Sequence, residues 1–272
     1  MESDIKDKIE IFNNYVIKYN TARFSDGLEW FTELMSINHK RELRVYDWYN
    51  KKIHKNLLIP ELYEKNSKYI KIEKLIEIEK SEIVISELIP SIKEFILLGV
   101  GQKRSFYDIL SSPTQSVLRG LIRNARFLGV RLIFQVLKHL VLLYSNKPRV
   151  DGTYLIHKDL KTNQNMISTQ NGIYFIDFGS SILTKHYFLT DIVELSTDHK
   201  ANKVNFDLLE LFIKELGAEK YNIEYLRSQI YLLLLRRCMH FGPVDRANEQ
   251  IMADVKEFLD NLDSLVGNFK LT

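Results

Sequence analysis

The chain has 272 residues, 45% of them apolar and 27% charged, which is long enough to bury one large core or two smaller ones. Its net charge of +3, from 38 Lys and Arg against 35 Asp and Glu, is too small to argue for a nucleic-acid partner. A single cysteine, Cys238, excludes an internal disulfide and fits a reducing, cytoplasmic compartment. No apolar targeting run opens the sequence, because residues 1–8 are charged throughout. The most apolar stretch, Phe127 to Tyr144, carries Arg131, Gln135, Lys138 and His139, so a core helix is expected there and not a bilayer span.

Residues 8–20 alternate and are rich in Ile, Tyr and Val, which predicts one or two strands. Residues 28–53 are expected to be helical, with Leu43, Tyr46, Tyr49 and Ile53 spaced three or four apart. Pro60 closes the linker after that helix. Two strand-like runs follow, Tyr69 to Ile78 and Glu82 to Ile89, and the Glu79-Lys80-Ser81 turn between them predicts a hairpin ended by Pro90. From residue 91 the character changes. A Gly99-Val100-Gly101 break precedes helical periodicity over 115–145, and further helices are expected over 204–216, 222–238 and 247–265. The only strands expected in this half flank Gly172. Two basic clusters, Lys51, Lys52, His54 and Lys55, then Arg236 and Arg237, read as solvated faces.

The chemistry is concentrated in two runs. His157-Lys158-Asp159-Leu160-Lys161 places an aspartate in a loop beside a lysine. Eighteen residues after Asp159, Asp177-Phe178-Gly179 follows the uncharged strand Ile173-Tyr174-Phe175-Ile176. Phosphoryl transfer needs two such carboxylates: one orients the attacking hydroxyl and accepts its proton, and the other holds magnesium against the nucleotide phosphates. The order and spacing of the runs resemble the catalytic and metal loops of the protein-kinase-like superfamily, in particular its atypical, aminoglycoside-phosphotransferase-like or lipopolysaccharide-kinase-like small kinases.

That resemblance implies an α+β, two-lobed protein-kinase-like fold. A small β-rich N-terminal lobe is expected over residues 1–89 and a larger, mainly helical C-terminal lobe over 90–272. It implies Asp159 as base, Lys161 near the transferred phosphate, a structural His157, and Asp177 as magnesium ligand. The second metal ligand departs from the pattern. The family places an asparagine five residues after the catalytic aspartate, where this chain has Gln164 between Asn163 and Asn165. Asn165-Met166-Ile167 looks like the strand start that follows the family asparagine, notably in the small atypical kinase of the tRNA threonylcarbamoyl-adenosine complex. Asn165 is therefore the expected ligand and Gln164 the alternative, either offering an amide oxygen to a hard cation.

In the N-terminal half, Tyr15-Val16-Ile17-Lys18 resembles the family strand that ends in the phosphate-binding lysine. Glu42, in Arg41-Glu42-Leu43-Arg44, resembles the helical glutamate that pairs with it, with Glu33 as alternative, and a proline-led strand from Pro60 follows as in aminoglycoside-phosphotransferase-like enzymes. Val84 to Pro90 looks like the strand and hinge that receive adenine, with Glu87 to Ile89 as the contact segment. A glycine-rich phosphate lid is missing, since the first glycine is Gly27. Backbone amides near Phe12-Asn13-Asn14, or further upstream, are the only substitute. No A-P-E triplet follows Gly179, and the short segment before residue 205 leaves little room for a peptide-docking loop.

The expected activity is ATP- and magnesium-dependent phosphoryl transfer to a hydroxyl, with a sugar, glycolipid or other small metabolite favoured over a protein as acceptor. The alternatives are a degenerate pseudokinase that binds nucleotide or a partner, an atypical Ser/Thr protein kinase, and a helical scaffold in which the motifs are accidental.

Overall fold

The computed structural model describes residues 9–20, 29–78, 83–124, 130–146, 152–161, 164–197, 203–239 and 249–271. The expectations placed on residues 1–8, on Glu79-Lys80-Ser81 and on Asn163 lie outside them, as does the side chain of Glu33. Contacts divide the chain into two compact units. One comprises Met1–Val84 with His157–Ile182, and the other Ile85–Ile156 with Leu183–Thr272. The sequence reading divides the chain near residue 89 instead and leaves 157–182 with the helical half.

The first unit is built on a four-stranded antiparallel sheet of β1 (Ile9–Ile11), β2 (Tyr15–Tyr19), β3 (Leu62–Lys65) and β4 (Tyr69–Glu73), in the order β1-β2-β4-β3. The short loop Phe12-Asn13-Asn14 turns β1 into β2, closed by Phe12 N–H donating to Tyr15 C=O at 2.9 Å. β2 is internal, with Lys18 opposite Ile9 on one side and Ile70 on the other. Helix α1 (Glu29–Tyr49) buries Ile37, Glu42, Val45 and Tyr46. These positions recur with the 3.6-residue period that puts one face against a core. The buried face is thus not the Leu43–Ile53 series: of that series only Tyr46 is buried, and Ile53, beyond the helix, is fully exposed.

The same unit contains a separate hairpin outside that sheet, formed by Met166–Thr169 and Gly172–Phe175 in antiparallel register. The Gln170-Asn171-Gly172 turn stands where expected. Gly172 has φ +128°, and a Cβ there would lie 2.9 Å from Leu58 Cδ1, so both backbone and space require glycine. Leu58 C=O accepts from Phe175 N–H at 2.9 Å, which ties the linker before β3 to the strand that delivers Asp177.

The hairpin expected over 69–89 does not form. β4 ends at Glu73 and pairs with β2 and β3. Ile85–Leu88 is a 3-10 turn that runs into α2 (Ile89–Leu97). Pro90 opens this helix rather than breaking a strand, since its missing N–H costs nothing in a first turn. Leu88, Ile92, Phe95 and Ile96 are buried at helical, not alternating, spacing.

The second unit continues with α3 (Phe106–Leu110), α4 (Pro113–Asn124) and α5 (Val130–Ser145), so the periodicity over 115–145 is carried by two helices. It then adds α6 (Thr190–Leu195), α7 (Phe206–Glu215), α8 (Ile223–Cys238) and α9 (Glu249–Gly267). α8 is buried on nearly every side and forms the centre of this unit, with α4, α5, α6 and α9 packed around it. Two three-residue strands were not legible in the sequence, Tyr154–Ile156 and Ile182–Thr184, which pair with each other. Arg236 and Arg237 are not on a solvated face. Their guanidinium groups hold Glu194 at 3.1 and 3.0 Å, and Arg236 is buried. No described helix is long and apolar enough to cross a membrane.

Candidate active site

Six of the eight residues singled out in the sequence belong to the first unit: Lys18, Glu42, Asp159, Lys161, Asn165 and Asp177. Lys18, at the fourth position of β2, extends its ammonium to Glu42 of α1 at 3.0 Å and to Asp177 at 2.6 Å. Burial by itself would lower the lysine pKa. The two carboxylates outweigh it and hold the pKa well above the usual lysine range. Asp177 responds in the opposite sense. Burial would raise its pKa, but the charge and hydrogen bond of Lys18, with a hydrogen bond from Gly179 N–H, hold it below the ordinary aspartate value. Lysine and aspartate are therefore both charged at neutral pH. Glu42 is almost fully buried, whereas half of the Asp177 side chain remains open to solvent.

Asp177 is held by what surrounds its neighbours. Phe178 is fully buried and meets Tyr46 of α1 and His157 edge-on, with ring centroids 5.7 and 5.5 Å away. Gly179 lies against α1 so closely that a Cβ would come 3.4 Å from Asn38 Cβ. Arg44, two residues beyond Glu42, donates to Ser181 C=O at 3.3 Å. One helix thus carries the glutamate and also clamps the loop that bears the aspartate. His157 is buried, and its Nε2–H donates to Ile176 C=O at 2.9 Å. Burial lowers its pKa, so it is neutral and acts as a strut between the two loops. Two non-glycine residues adopt left-handed backbone here, Lys158 at φ 72° and Asp177 at φ 58°. Each such conformation costs about 1–3 kcal/mol and persists where surrounding structure enforces it, as at sites that fix a side chain for chemistry.

Asn165 N–H donates to Lys161 C=O at 3.0 Å. Asn165 is buried, and its side-chain amide N–H donates to the Asp159 carbonyl. Its amide oxygen is an acceptor by chemistry. Gln164 is exposed; its side-chain oxygen accepts from the Lys161 ammonium at 3.5 Å and its backbone N–H donates to Lys161 C=O at 3.2 Å. Lys161 also lies 2.9 Å from Asp159 Oδ1, in an ion pair in which both side chains are nearly half exposed.

The other two residues belong to the second unit. Glu87 is exposed in the 3-10 turn, and Ile89 is buried at the start of α2, so neither lies on a strand that leaves the sheet. The segment that does leave it is 74–78, immediately after β4. Its Ile78 N–H donates to Ser168 C=O at 3.0 Å, and its Lys74 N–H to Asn14 C=O at 3.2 Å. A cavity of about 230 Å³ opens beside it, lined by Glu73, Ile76, Ile78, Thr169 and Tyr174 among others. The sequence reading missed this segment because Lys74 to Ile78 continues the apolar alternation of β4.

No protein-family model matches this sequence, and no curated protein matches it. Solved structures do match in fold. Wild-type aminoglycoside 2'-phosphotransferase-IIIa in its GDP complex superposes with a TM-score of 0.58 at 10% identity, covering 97% of this chain and 91% of that one. The streptomycin–ATP ternary complex of APH(2'')-IIa gives 0.52 at 15% identity, over 97% and 91%. An aminoglycoside phosphotransferase from Alicyclobacillus acidocaldarius subsp. acidocaldarius gives 0.51 at 11% identity, over 97% and 94%. The chain therefore has the α+β fold of aminoglycoside phosphotransferases, a protein-kinase-like fold, across nearly its whole length.

Proposed function

We propose that this chain is an ATP- and magnesium-dependent phosphotransferase acting on the hydroxyl of a small molecule, sugar or glycolipid. The observation that carries the reading is the convergence of Lys18, Glu42 and Asp177 in one ion-paired cluster, with Asn165 bonded to the backbone of Asp159 in the adjoining loop. The structural neighbours that hold GDP, or streptomycin with ATP, support a nucleotide and a small acceptor.

The donor set fits magnesium. One half-exposed carboxylate and one amide oxygen leave most of the coordination to phosphate oxygens and water, as this ion prefers. When bound, it supplies positive charge against the phosphate oxygens. Asp177 and Asn165 would hold it, and the Lys18 ammonium, released from Asp177, would face the phosphates while keeping its pair with Glu42. Asp159 orients the acceptor hydroxyl and takes its proton as the new oxygen–phosphorus bond forms and the bond from the terminal phosphorus to the departing diphosphate breaks. Lys161, paired to Asp159 in the absence of substrate, would offset charge developing on the transferred group. Segment 74–78 is a better candidate for base recognition than Glu87 or Ile89, because it runs directly from the strand beside β2 and borders a cavity.

One observation favours a second reading, nucleotide binding without transfer. The turn that precedes Lys18, Phe12-Asn13-Asn14, has no glycine to bring its backbone close over phosphates. Calorimetric titration of ATP with and without magnesium, followed by radiolabel transfer to a panel of aminoglycosides and sugars, separates the two. Magnesium-dependent binding with transfer supports the enzyme, and binding without transfer to any acceptor or to water supports the second reading.

A further inference from the structure

Residues 103–146 hold seven Lys or Arg and one acid, Asp108, a net of +6 in a chain whose total is only +3. Asp108 is fully buried, accepting hydrogen bonds from Ser105 and from Leu183 N–H, so it offers no negative charge to the surface. The exposed cations Arg119 and Arg123 of α4 and Arg131 of α5 stand in this segment. Lys138 is exposed too, although it pairs with Asp263 at 3.3 Å.

The same segment exposes an apolar stripe. On α5, Val130, Phe134, Leu137, Val141 and Tyr144 recur at intervals of four and three, which places them along one face. They are 68, 68, 50, 63 and 48% exposed, while Leu132, Val136, His139 and Leu143 face inward. α4 adds an exposed apolar side chain of its own, Ile122. Both helices pack on α8, and Thr114 at the start of α4 meets the Tyr144 hydroxyl at 2.8 Å, so the two run antiparallel. This brings Ile122, 79% exposed, near the Val130 end. With aromatic side chains presenting about 150–250 Å² each, the α5 stripe alone exposes on the order of 600 Å², at the upper end of what an unpartnered surface carries.

We infer that the α4–α5 face docks on an anionic lipid bilayer, lying in the interface with its apolar side chains among the acyl chains and its arginines at the phosphates. Charge decides the occupant. A second copy would bring arginines against arginines with no acid on either α4 or α5 to pair with them. A bilayer offers both apolar depth and a sheet of negative charge, the combination to which basic amphipathic helices bind. α5, with 16 residues, lies on such a surface and does not span it. The inference does not depend on the phosphotransferase reading.

The test is sedimentation of the full chain with vesicles of phosphatidylcholine alone and with about one-third phosphatidylglycerol. Partition should be at least ~10-fold stronger to the anionic vesicles and should fall at least ~10-fold in Phe134→Ser/Leu137→Ser and in Arg119→Glu/Arg123→Glu/Arg131→Glu. These positions are exposed, so the melting temperature of each variant should stay near that of the parent. A chain carrying only Leu137→Cys, labelled there with a polarity-sensitive dye, gives a reading without loss of either feature. Cys238 is buried, and burial pushes its thiol pKa up to about 12, so it stays protonated and does not compete for the label. A blue shift with anionic vesicles only is expected. Absence of vesicle binding, or equal binding by parent and both variants, overturns the inference. So does a concentration-dependent dimer that Phe134→Ser dissolves while vesicles bind nothing, which would assign the face to a second copy.

Discussion

At the scale of single residues, Lys18 is the charge on which the site turns. Its partners are a buried glutamate and a half-exposed aspartate, so removing it affects the first far more than the second. Lys18→Met should destabilise the protein by about 2–3 kcal/mol, mostly by removing the ammonium that offsets the buried Glu42 charge, with the Asp177 share reduced by solvent screening. Chemical denaturation at neutral pH measures it. The pH dependence follows from the direction of the Asp177 shift. A depressed carboxylate contributes stability that is present above its unfolded pKa and lost as pH falls through its folded value. The wild type should therefore lose stability on the acid side more steeply than Lys18→Met, in which the depression is gone. Parallel acid limbs in the two proteins would show that the pair is not coupled in solution. In the loop, Asp159→Ala should lower turnover by at least ~10²-fold with little change in nucleotide affinity, because the role proposed for its carboxylate is toward the acceptor and not the phosphates. Asn165→Ala should impair magnesium-dependent turnover more than Gln164→Ala. The Asn165 side chain is buried and braces the Asp159 carbonyl, whereas Gln164 is at the surface. The sequence alone left these two amides open, because a spacing rule counts residues and not which of them turns inward.

At the scale of elements, what was legible depended on whether the signal was local. Amphipathic helices and the hairpin around Gly172 carry their own periodicity and turn chemistry, and they stand within a few residues of expectation. The run from Val84 to Pro90 was misread because an apolar sequence of that length serves a strand or the start of a helix equally well. Only packing, which buries Leu88, Ile92 and Phe95 together, decides between them. The two three-residue strands were illegible for the same reason, having too few residues to show a period. Gly99 shows what a break in the pattern can conceal. A Cβ there would lie 2.3 Å from Leu155 N and 2.6 Å from Tyr154 C, inside backbone that cannot yield. The Thr153 hydroxyl caps this approach by donating to Gly99 C=O at 2.5 Å. Gly99→Ala should cost at least ~3 kcal/mol by forcing the end of α2 off the strand beside it. Gly101→Ala meets nothing within 4 Å and should cost only the strain of its φ of +80°, about 1 kcal/mol. Thermal melts of the two variants compare steric exclusion with backbone strain directly.

At the scale of the whole molecule, the fold matches phosphotransferases along 97% of the chain at identities of 10–15%. So few shared residues can preserve a fold because a core requires apolar side chains of fitting volume and not particular ones. A site has no such latitude, and the residues proposed for this one, Asp159 and Asp177, stood out in the sequence before any fold was known. The resemblance already gave His157 a structural part, and its bond to Ile176 C=O agrees with that; what the sequence did not reveal is α1 packed against the loop that follows Asp177, and the left-handed backbone at Lys158 and Asp177. The α1 contacts join segments more than a hundred residues apart, as Arg44 and Ser181 do, and no local pattern reports them. The most direct measurement of the account is magnesium-dependent release of the terminal phosphate of ATP, to water or to a panel acceptor, by the wild type and by Asp177→Asn, which removes the charge of the proposed magnesium ligand at constant side-chain volume. The wild type should turn over ATP only with magnesium, and the folded variant should show at least ~10²-fold less. Equal rates in the two proteins, or release by the wild type that is indifferent to magnesium, would contradict it.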